Sequence, residues 1–180
     1  MSTLNEYLVQ KKAAALALNE QAKADPKANH FSAKVRAAGR SGVREIRIRD
    51  FQIISDSPEN FAGYSLGPTS PELQLGVLGS CLTHITLIQA AKLDVSLESL
   101  EVEVFGQQHP LGGQEGFEDI PFFPYNIHYK LHIVSNESEE TIAALHEAVE
   151  RVCPIYNLLI NPQNIAGEVV HTSAATVQKA

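Results

Sequence analysis

The chain has no tryptophan, one methionine and two cysteines among its 180 residues, and it lacks any long run of basic charge. Fourteen Lys and Arg residues stand against 21 Asp and Glu residues, which gives a net charge of −7. The only dense basic group is the alternating segment VREIRIRD at 43–50. Because nucleic-acid binding depends on a clustered basic surface, we expect no nucleic-acid partner.

Two further absences concern export and membranes. The N-terminal segment at 1–21 has no basic region ahead of an apolar core, so it does not have the pattern of a signal peptide. No uninterrupted stretch approaches the roughly 20 apolar residues that span a bilayer. We therefore expect a cytoplasmic protein without a membrane partner. In that reducing compartment the two cysteines should not form a permanent disulfide, so any pairing between them should be transient and chemical.

The residue pattern predicts an α+β fold. Apolar residues at helical spacing predict a helix over 3–24, which we interpret as part of an N-terminal helical extension at 1–30 beside a single domain at 31–180. Period-two alternation predicts a hairpin or meander within 31–54. Further helices are expected at 71–92 and 137–152, further strands at 99–107, 125–135 and 164–172, and ordered or glycine-rich loops at 55–71 and 106–123. This order of helices and strands is typical of the α+β class.

The helix at 71–92 is expected to form the centre of the fold. Ser70 is a plausible N-cap, Pro71 suits the first helical position, and Glu72 suits the positive end of the helix dipole. The helix is apolar nearly all round, which predicts that it is buried on every side. Cys81 lies near its middle.

Three roles are open for each cysteine: a small buried apolar residue, a metal ligand or a nucleophile. A nucleophile needs a cation or a helix N-terminus nearby, because the thiol pKa of about 8.5 leaves little thiolate at neutral pH. Cys153 directly precedes a helix expected to start at Pro154. Cys81 has neither aid in its local sequence, so an activating group would have to come from elsewhere in the fold.

The histidines give little support for a metal site. Cys81 and His84 share one helix face and His128 and His132 share one strand face, but the chain has no Cys-x-x-Cys or His-Glu-x-x-His motif. The alternation of His128, Lys130 and His132 with apolar residues predicts a solvated sheet face. We expect simple packing or a surface hydrogen bond for His84. The sequence therefore predicts neither a metal site nor a cofactor.

Two segments together resemble the OsmC family, the osmotically inducible protein C and organic hydroperoxide resistance proteins. They are GPTSPELQLGVLGSCLTHITLIQAAKLDVSLESLEVEV at 67–104 and VCPIYNLL at 152–159. The resemblance extends over about 35–171. Within the family, the chain is similar to the less-characterised OsmC-like branch. It implies an OsmC-like fold, in which a long buried central helix packs with antiparallel sheet, and an intertwined homodimer.

The resemblance also implies a function, that of a thiol-dependent peroxidase acting on organic hydroperoxides. Cys81 would become a sulfenic acid, and Cys153 would close a disulfide that a dithiol or lipoyl-type reductant reopens. An Arg from an early strand would hold the thiolate, with Arg40 as first choice and Arg36 as second, and Glu72 would hold that Arg. The alternatives are a redox-sensing or ligand-binding protein without efficient turnover, and a structural dimer with inert cysteines.

Helix geometry constrains this assignment independently. Glu72 and Cys81 are nine residues apart, which corresponds to about 13 Å of rise and half a turn of rotation. They cannot meet within one straight helix, so Glu72 could serve only the Cys81 of a second chain. Gly76 and Gly79 would let another backbone approach the helix. The apolar, small-residue surroundings of Cys81 suit the alkyl part of an organic hydroperoxide.

Overall fold

A computed structural model describes residues 3–39 and 41–173 and confirms the α+β class. The elements in chain order are α1 (Leu4–Ala24), β1 (Lys34–Ala37), β2 (Arg44–Ile48), β3 (Phe51–Ser55), a 3₁₀ turn (Glu59–Phe61), α2 (Ser70–Leu93), β4 (Ser99–Gln107), β5 (Tyr125–Val134), α3 (Glu139–Val152) and α4 (Pro154–Ile160). The predicted helices and the predicted strands up to residue 135 are thus confirmed to within a few residues. The interruption at Pro154 is confirmed as well, because α4 begins there.

The strand predicted at 164–172 does not form. Residues 162–173 carry no regular secondary structure. Ile165 and Val169 are each 93% exposed. A strand needs a neighbour for its backbone hydrogen bonds, and within the described part of this chain none pairs with this segment.

The strands form two separate antiparallel sheets. In the first, with order β1-β2-β3, Val35, Ile46 and Ile53 pair across one face and Lys34, Arg47 and Gln52 pair across the other. This sheet therefore has an apolar face and a polar, mainly basic face. The second sheet pairs β4 with β5 and has an irregularity near Phe105.

The start of α2 lies one residue earlier than predicted. Thr69, not Ser70, is the N-cap, and Pro71 is the second helical residue. The backbone N–H and the hydroxyl of Thr69 both donate to Glu72 Oε2, each over 2.7 Å. Thr69 is preferred because it stands three residues before Glu72, the spacing at which cap and carboxylate can satisfy one another. These two hydrogen bonds lower the pKa of Glu72.

Helix α2 forms the centre of the core and packs against α1, β4, α3 and α4. Its buried residues, Leu78, Leu82, Thr86, Ala90 and Ala91, pack against apolar residues of those elements. The prediction of burial on every side is wrong for a single chain, since Val77 is 47% and Leu93 49% exposed.

By length and composition, α2 is also the one helix of the described residues that could cross a membrane, although polar residues interrupt its apolar run. The polar residues along α2 do not lower its overall apolar character enough to exclude a span. The core helix of a soluble protein passes the same test. Here α2 contacts four other elements of the fold.

Helix α1 is fixed to the end of α2. Leu8 is buried in the core, Lys12 Nζ forms an ion pair with Asp94, and Asn5 Oδ1 accepts a 2.8 Å hydrogen bond from the backbone of Leu97. The small residues of α2 serve the chain's own packing at one position: a Cβ on Gly79 would lie 3.2 Å from Val104 of β4. Gly76 has open space beside it.

The loop before α2 is ordered, as predicted, around the buried carboxylate of Asp56. That carboxylate accepts hydrogen bonds from the backbone N–H groups of Ser57, Tyr64 and Leu66. Burial opposes its ionisation, but the three N–H donors and the nearby Arg44 keep the pKa of Asp56 below its ordinary value. The loop thereby connects the first sheet to α2 in a defined conformation.

Truncation of Leu82 should measure how far the fold depends on α2. Leu82 is fully buried, so we expect Leu82→Ala to lower the free energy of unfolding by about 2–5 kcal/mol through lost burial and a residual cavity. Leu18→Ala is the control, because Leu18 is 66% exposed on α1. It should change stability by no more than about 0.5 kcal/mol. Urea unfolding of both variants checks this, and equal losses would contradict the central position of α2.

Candidate active site

The two cysteines, 72 residues apart in sequence, meet in the core. Cys81 comes from the middle of α2 and Cys153 from the joint between α3 and α4, and their Sγ atoms lie 3.4 Å apart. Both thiols are free; Cys153 is completely buried and Cys81 is partly buried. A disulfide bond is about 2.05 Å long. The two sulfurs are therefore in contact without being bonded, and a small movement would join them.

The joint that carries Cys153 follows from Pro154. Proline has no N–H to continue α3, and its fixed φ suits the start of a helix. Cys153 is consequently both the C-cap of α3 and the N-cap of α4, with an extended backbone at φ −68° and ψ 113°. Its N–H donates to Val149 and its carbonyl accepts from the N–H of Asn157. The side chain of Cys153 is thereby directed toward α2.

The ionisation of Cys81 is governed by opposing effects. Burial raises the pKa of the Cys81 thiol, a hydrogen bond from the backbone N–H of Ile155 lowers it, and the adjacent Cys153 raises it again. The net effect is a raised pKa. Ile155 is a residue that sequence reasoning missed, although Pro154 signalled a helix start whose free N–H groups could stabilise a thiolate.

A polar cluster lies beside the thiols. Tyr129 of β5 donates its hydroxyl proton to Glu150 Oε1 over 2.7 Å, and His146 Nε2 lies 2.6 Å from the same hydroxyl. The ring of Tyr156 packs edge-on against Tyr129. Burial and the Glu150 carboxylate raise the pKa values of Tyr129 and Tyr156. No sequence signal identified this cluster, because the alternation of β5 places Tyr129 simply among the residues of an apolar strand face.

The same cluster borders a groove of about 890 Å³ between β5, α3 and α4. Its apolar walls include Leu131, Ile133, Ile142, Leu159 and Ile160. Leu78, three residues before Cys81 on α2, also lines it. The groove thus combines a wide apolar surface with a few polar side chains close to the cysteines.

Glu72 and Arg36, two other residues proposed from the sequence, are not brought to the thiols within this chain. Glu72 hydrogen-bonds Thr69 at the start of α2 and lines a smaller depression of about 440 Å³ with Gly76, Gly79 and Ser80. Arg36 donates from Nε to Glu45 over 2.6 Å on the first sheet, with 71% of its side chain exposed. Arg40 lies outside the described residues, so its position is not assigned.

The histidines occupy the surface positions expected for them. His128, Lys130 and His132 are exposed on the outer face of β5, where His128 stacks on Phe105 and His132 contacts Glu103. His84 is exposed on α2, and its pKa is lowered by partial burial and by Lys11. Cys81 and His84 therefore face different partners.

The fold and the site define an α+β protein with a pair of apposed thiols at a central helix. The sequence model of the family described as OsmC-like protein matches residues 63–167, more than half of the chain, and the protein belongs to this family. The match is shorter than the 35–171 over which the sequence resembles the family. It begins after the first sheet.

Solved structures of the same fold support this placement. An OsmC-like protein from Mycoplasma pneumoniae has a TM-score of 0.65 at 19% identity, covering 74% of this chain and 89% of its own. An organic hydroperoxide resistance protein from Legionella pneumophila has a TM-score of 0.53 at 18% identity, covering 74% and 91%. One from Vibrio cholerae, with captopril bound in one active site, has a TM-score of 0.53 at 21% identity, covering 75% and 87%. Such identities show the fold alone, and no curated protein matches the sequence.

The N–H of Ile155 should have a measurable effect on Cys81. Ile155→Pro removes this donor, so the pKa of Cys81 should rise relative to the wild type, because the thiolate loses a hydrogen bond. Ile155→Val keeps the N–H and should leave the pKa unchanged. The rate of Cys81 alkylation by iodoacetamide, followed against pH with peptide mass analysis, reports the midpoint. The same midpoint in the Pro and Val variants would contradict the role of this N–H.

Proposed function

We propose that this protein is a thiol-dependent peroxidase that reduces organic hydroperoxides. The observation that carries the proposal is the 3.4 Å separation of two reduced sulfurs from distant parts of the chain. Apposed thiols are what a reaction needs if one sulfur is oxidised and the other resolves it. The chain's membership of the OsmC-like family supports the same interpretation, and so do its structural neighbours that are organic hydroperoxide resistance proteins.

The proposed reaction has two steps on the protein. The Cys81 thiolate attacks the outer peroxide oxygen, the O–O bond breaks, and the alkoxide leaves as an alcohol after taking up a proton. Cys81 is then a sulfenic acid. The Cys153 sulfur attacks it, the S–O bond breaks, water leaves, and the Cys81–Cys153 disulfide forms. A dithiol reductant, of the lipoyl type, reopens the disulfide by thiol exchange.

Organic hydroperoxides are the proposed substrates because of the apolar surroundings of the thiols. Cys81 packs against the apolar core cluster, and Leu78 extends this surface into the groove. An alkyl chain gains about 0.8 kcal/mol per methylene buried on such a surface. Hydrogen peroxide has no alkyl part and gains nothing from it.

Thiolate formation in this site requires a cation, because burial raises the pKa of Cys81 within the single chain. We propose Arg40 as that cation and Glu72 as the carboxylate that holds it. Arg36 is less suited, since it is already paired with Glu45. Glu72 would serve the Cys81 of a second subunit, because it caps the start of α2 in its own chain.

A homodimer is proposed because several apolar surfaces of the single chain lack cover. On the first sheet, Val35 is 55%, Phe51 63% and Ile53 40% exposed. None of the principal helix contacts of the described residues involves this sheet. Val77 of α2 is also 47% exposed. Exposed apolar patches of this kind mark interaction surfaces, and a second copy provides matching ones.

The cellular setting belongs to the same proposal. Free, apposed cysteines are compatible with a reducing cytoplasm, in which a disulfide formed in the reaction can be reopened. The net charge of −7 argues against a nucleic-acid partner. The contacts of α2 with four other elements favour a core role for this helix over a membrane role.

A second candidate function is redox sensing without efficient turnover. The complete burial of Cys153 favours it, because a reductant reaches a buried sulfur only slowly. Steady-state consumption of an alkyl hydroperoxide with a dithiol present distinguishes the two functions. A peroxidase turns over many times, whereas a sensor is oxidised once.

Serine substitutions should separate the roles of the two thiols. Cys81→Ser should abolish hydroperoxide consumption, because no nucleophile remains at the proposed site. Cys153→Ser should consume about one equivalent per site and then stop at the sulfenic acid, since the resolving sulfur is missing. Alkyl hydroperoxide loss is measured at stoichiometric and excess substrate. Consumption of one equivalent per site by Cys81→Ser, or of none by Cys153→Ser, would refute the assigned roles.

Subunit mixing should test whether the site is shared. Glu72→Gln keeps an oxygen acceptor for Thr69 while removing the charge, so the helix cap is preserved. If Glu72 serves the partner's site, a heterodimer of a Glu72→Gln chain and a Cys81→Ser chain has one intact site, with about half the wild-type activity.

Each variant refolded alone is the control for this mixing experiment. A site built within one chain would leave both sites of the heterodimer defective. Peroxidase activity that stays at the level of the separate variants, with heterodimers verified by native mass analysis, would therefore reject the shared site.

A further inference from the structure

The joint between α3 and α4 has a hydrogen-bonding deficit that the sequence itself creates. In a continuous helix the carbonyl of Glu150 would accept from the N–H of residue 154. Residue 154 is proline and has no N–H. A buried or partly buried carbonyl without a donor is costly, so another group has to satisfy Glu150 for the joint to be stable.

The side chain of Asn157 provides that donor. Its Nδ2 donates to the carbonyl of Glu150 over 2.8 Å and to the carbonyl of Cys153 over 2.9 Å. Both partners are carbonyl oxygens and can only accept, so the amide nitrogen of Asn157 must face them. The opposite orientation would place the amide oxygen against two other oxygens. One side chain thus connects the last turn of α3 to Cys153 and to the first turn of α4.

The backbone of Cys153 is consequently held from both directions. Its N–H donates to Val149 over 2.9 Å, and its carbonyl accepts from both the backbone N–H of Asn157, over 3.0 Å, and the Asn157 side chain. The preceding turn is itself anchored to the sheet, because the Glu150 carboxylate accepts from Tyr129 of β5. A residue restrained in this way keeps its side chain in one direction.

We infer that Asn157 is a positioning residue that holds the Cys153 sulfur against Cys81 and so favours formation of their disulfide. The inference rests on the proposed function in taking the pair as redox-active, and it adds a residue to that function. Asn157 touches neither sulfur in its described hydrogen bonds; it acts through the backbone of Cys153. Loss of its amide lets the joint move and separates the sulfurs more often.

The experiment measures the disulfide equilibrium directly, without a peroxide. The reduced protein reacts with glutathione disulfide: the two cysteine thiols are oxidised to the Cys81–Cys153 disulfide, and one glutathione disulfide is reduced to two glutathione thiols. The equilibrium constant, an effective concentration of the paired thiols, is obtained from acid-quenched, alkylated samples by mass analysis. This constant can be measured even if the protein is not a peroxidase. A failure of the Asn157 inference is therefore distinguishable from a failure of the proposed function.

Asn157→Ala should lower this equilibrium constant about tenfold, the factor that corresponds to the net loss of roughly one hydrogen bond in the restrained joint. Asn161→Ala is the matched control. Asn161 Nδ2 donates to the Asn157 carbonyl over 2.7 Å one turn further on, so the control also loses an amide-to-carbonyl bond of α4. It should leave the constant within about twofold. An unchanged constant in Asn157→Ala, or an equal fall in Asn161→Ala, would overturn the inference.

A double-mutant cycle with Pro154→Ala tests the mechanism. The substituted alanine has the N–H that proline lacks, so it can donate to the Glu150 carbonyl without help from Asn157. Asn157→Ala should therefore lower the constant less in the Pro154→Ala background than in the wild type, and equal losses would overturn the mechanism. If Asn157→Ala does not fold, Asn157→Asp, which keeps the size but has no donor when ionised, replaces it in both comparisons. Thermal unfolding confirms that the compared variants are folded.

Discussion

The packing of α2 against α1, β4, α3 and α4 is the constraint on which the rest of the structure depends. It places Cys81, from the middle of α2, against the core cluster and makes the end of α3 converge on the same point. Gly79 contributes by allowing α2 to approach Val104 of β4 closely. The burial that stabilises the fold therefore also creates the site, and the chemistry has to operate under the conditions that burial imposes.

Those conditions oppose the proposed reaction. Desolvation disfavours the thiolate, and the N–H of Ile155 offsets this only in part. A catalytic thiol in this position needs a further cation, which explains why the function and the proposed dimer are linked. In the proposed dimer, a second subunit covers the exposed apolar face of the first sheet. Glu72, which caps the start of α2 in its own chain, serves the Cys81 site of that second subunit.

At the α3–α4 joint a single residue, Pro154, has several structural consequences. Pro154 ends α3, starts α4, places the N–H of Ile155 near Cys81 and leaves the Glu150 carbonyl without its usual donor. Asn157 satisfies that carbonyl, and Tyr129 anchors the side chain of the same glutamate to β5. Cys153 thus lies between two anchored turns, although it is only a cap residue itself.

Periodicity alone determined most of the helices and strands, because apolar spacing reports which face is buried, and the Cys-Pro pair located the break at residue 154. The strand predicted at 164–172 was wrong, because an alternating pattern cannot show whether a neighbouring strand is present to pair with it. The meeting of Cys81 with Cys153, which the sequence implied only through family resemblance, and the Tyr129–His146–Glu150 cluster were decided by tertiary structure. Contacts between residues far apart in sequence depend on how whole elements pack, and no local pattern encodes that arrangement.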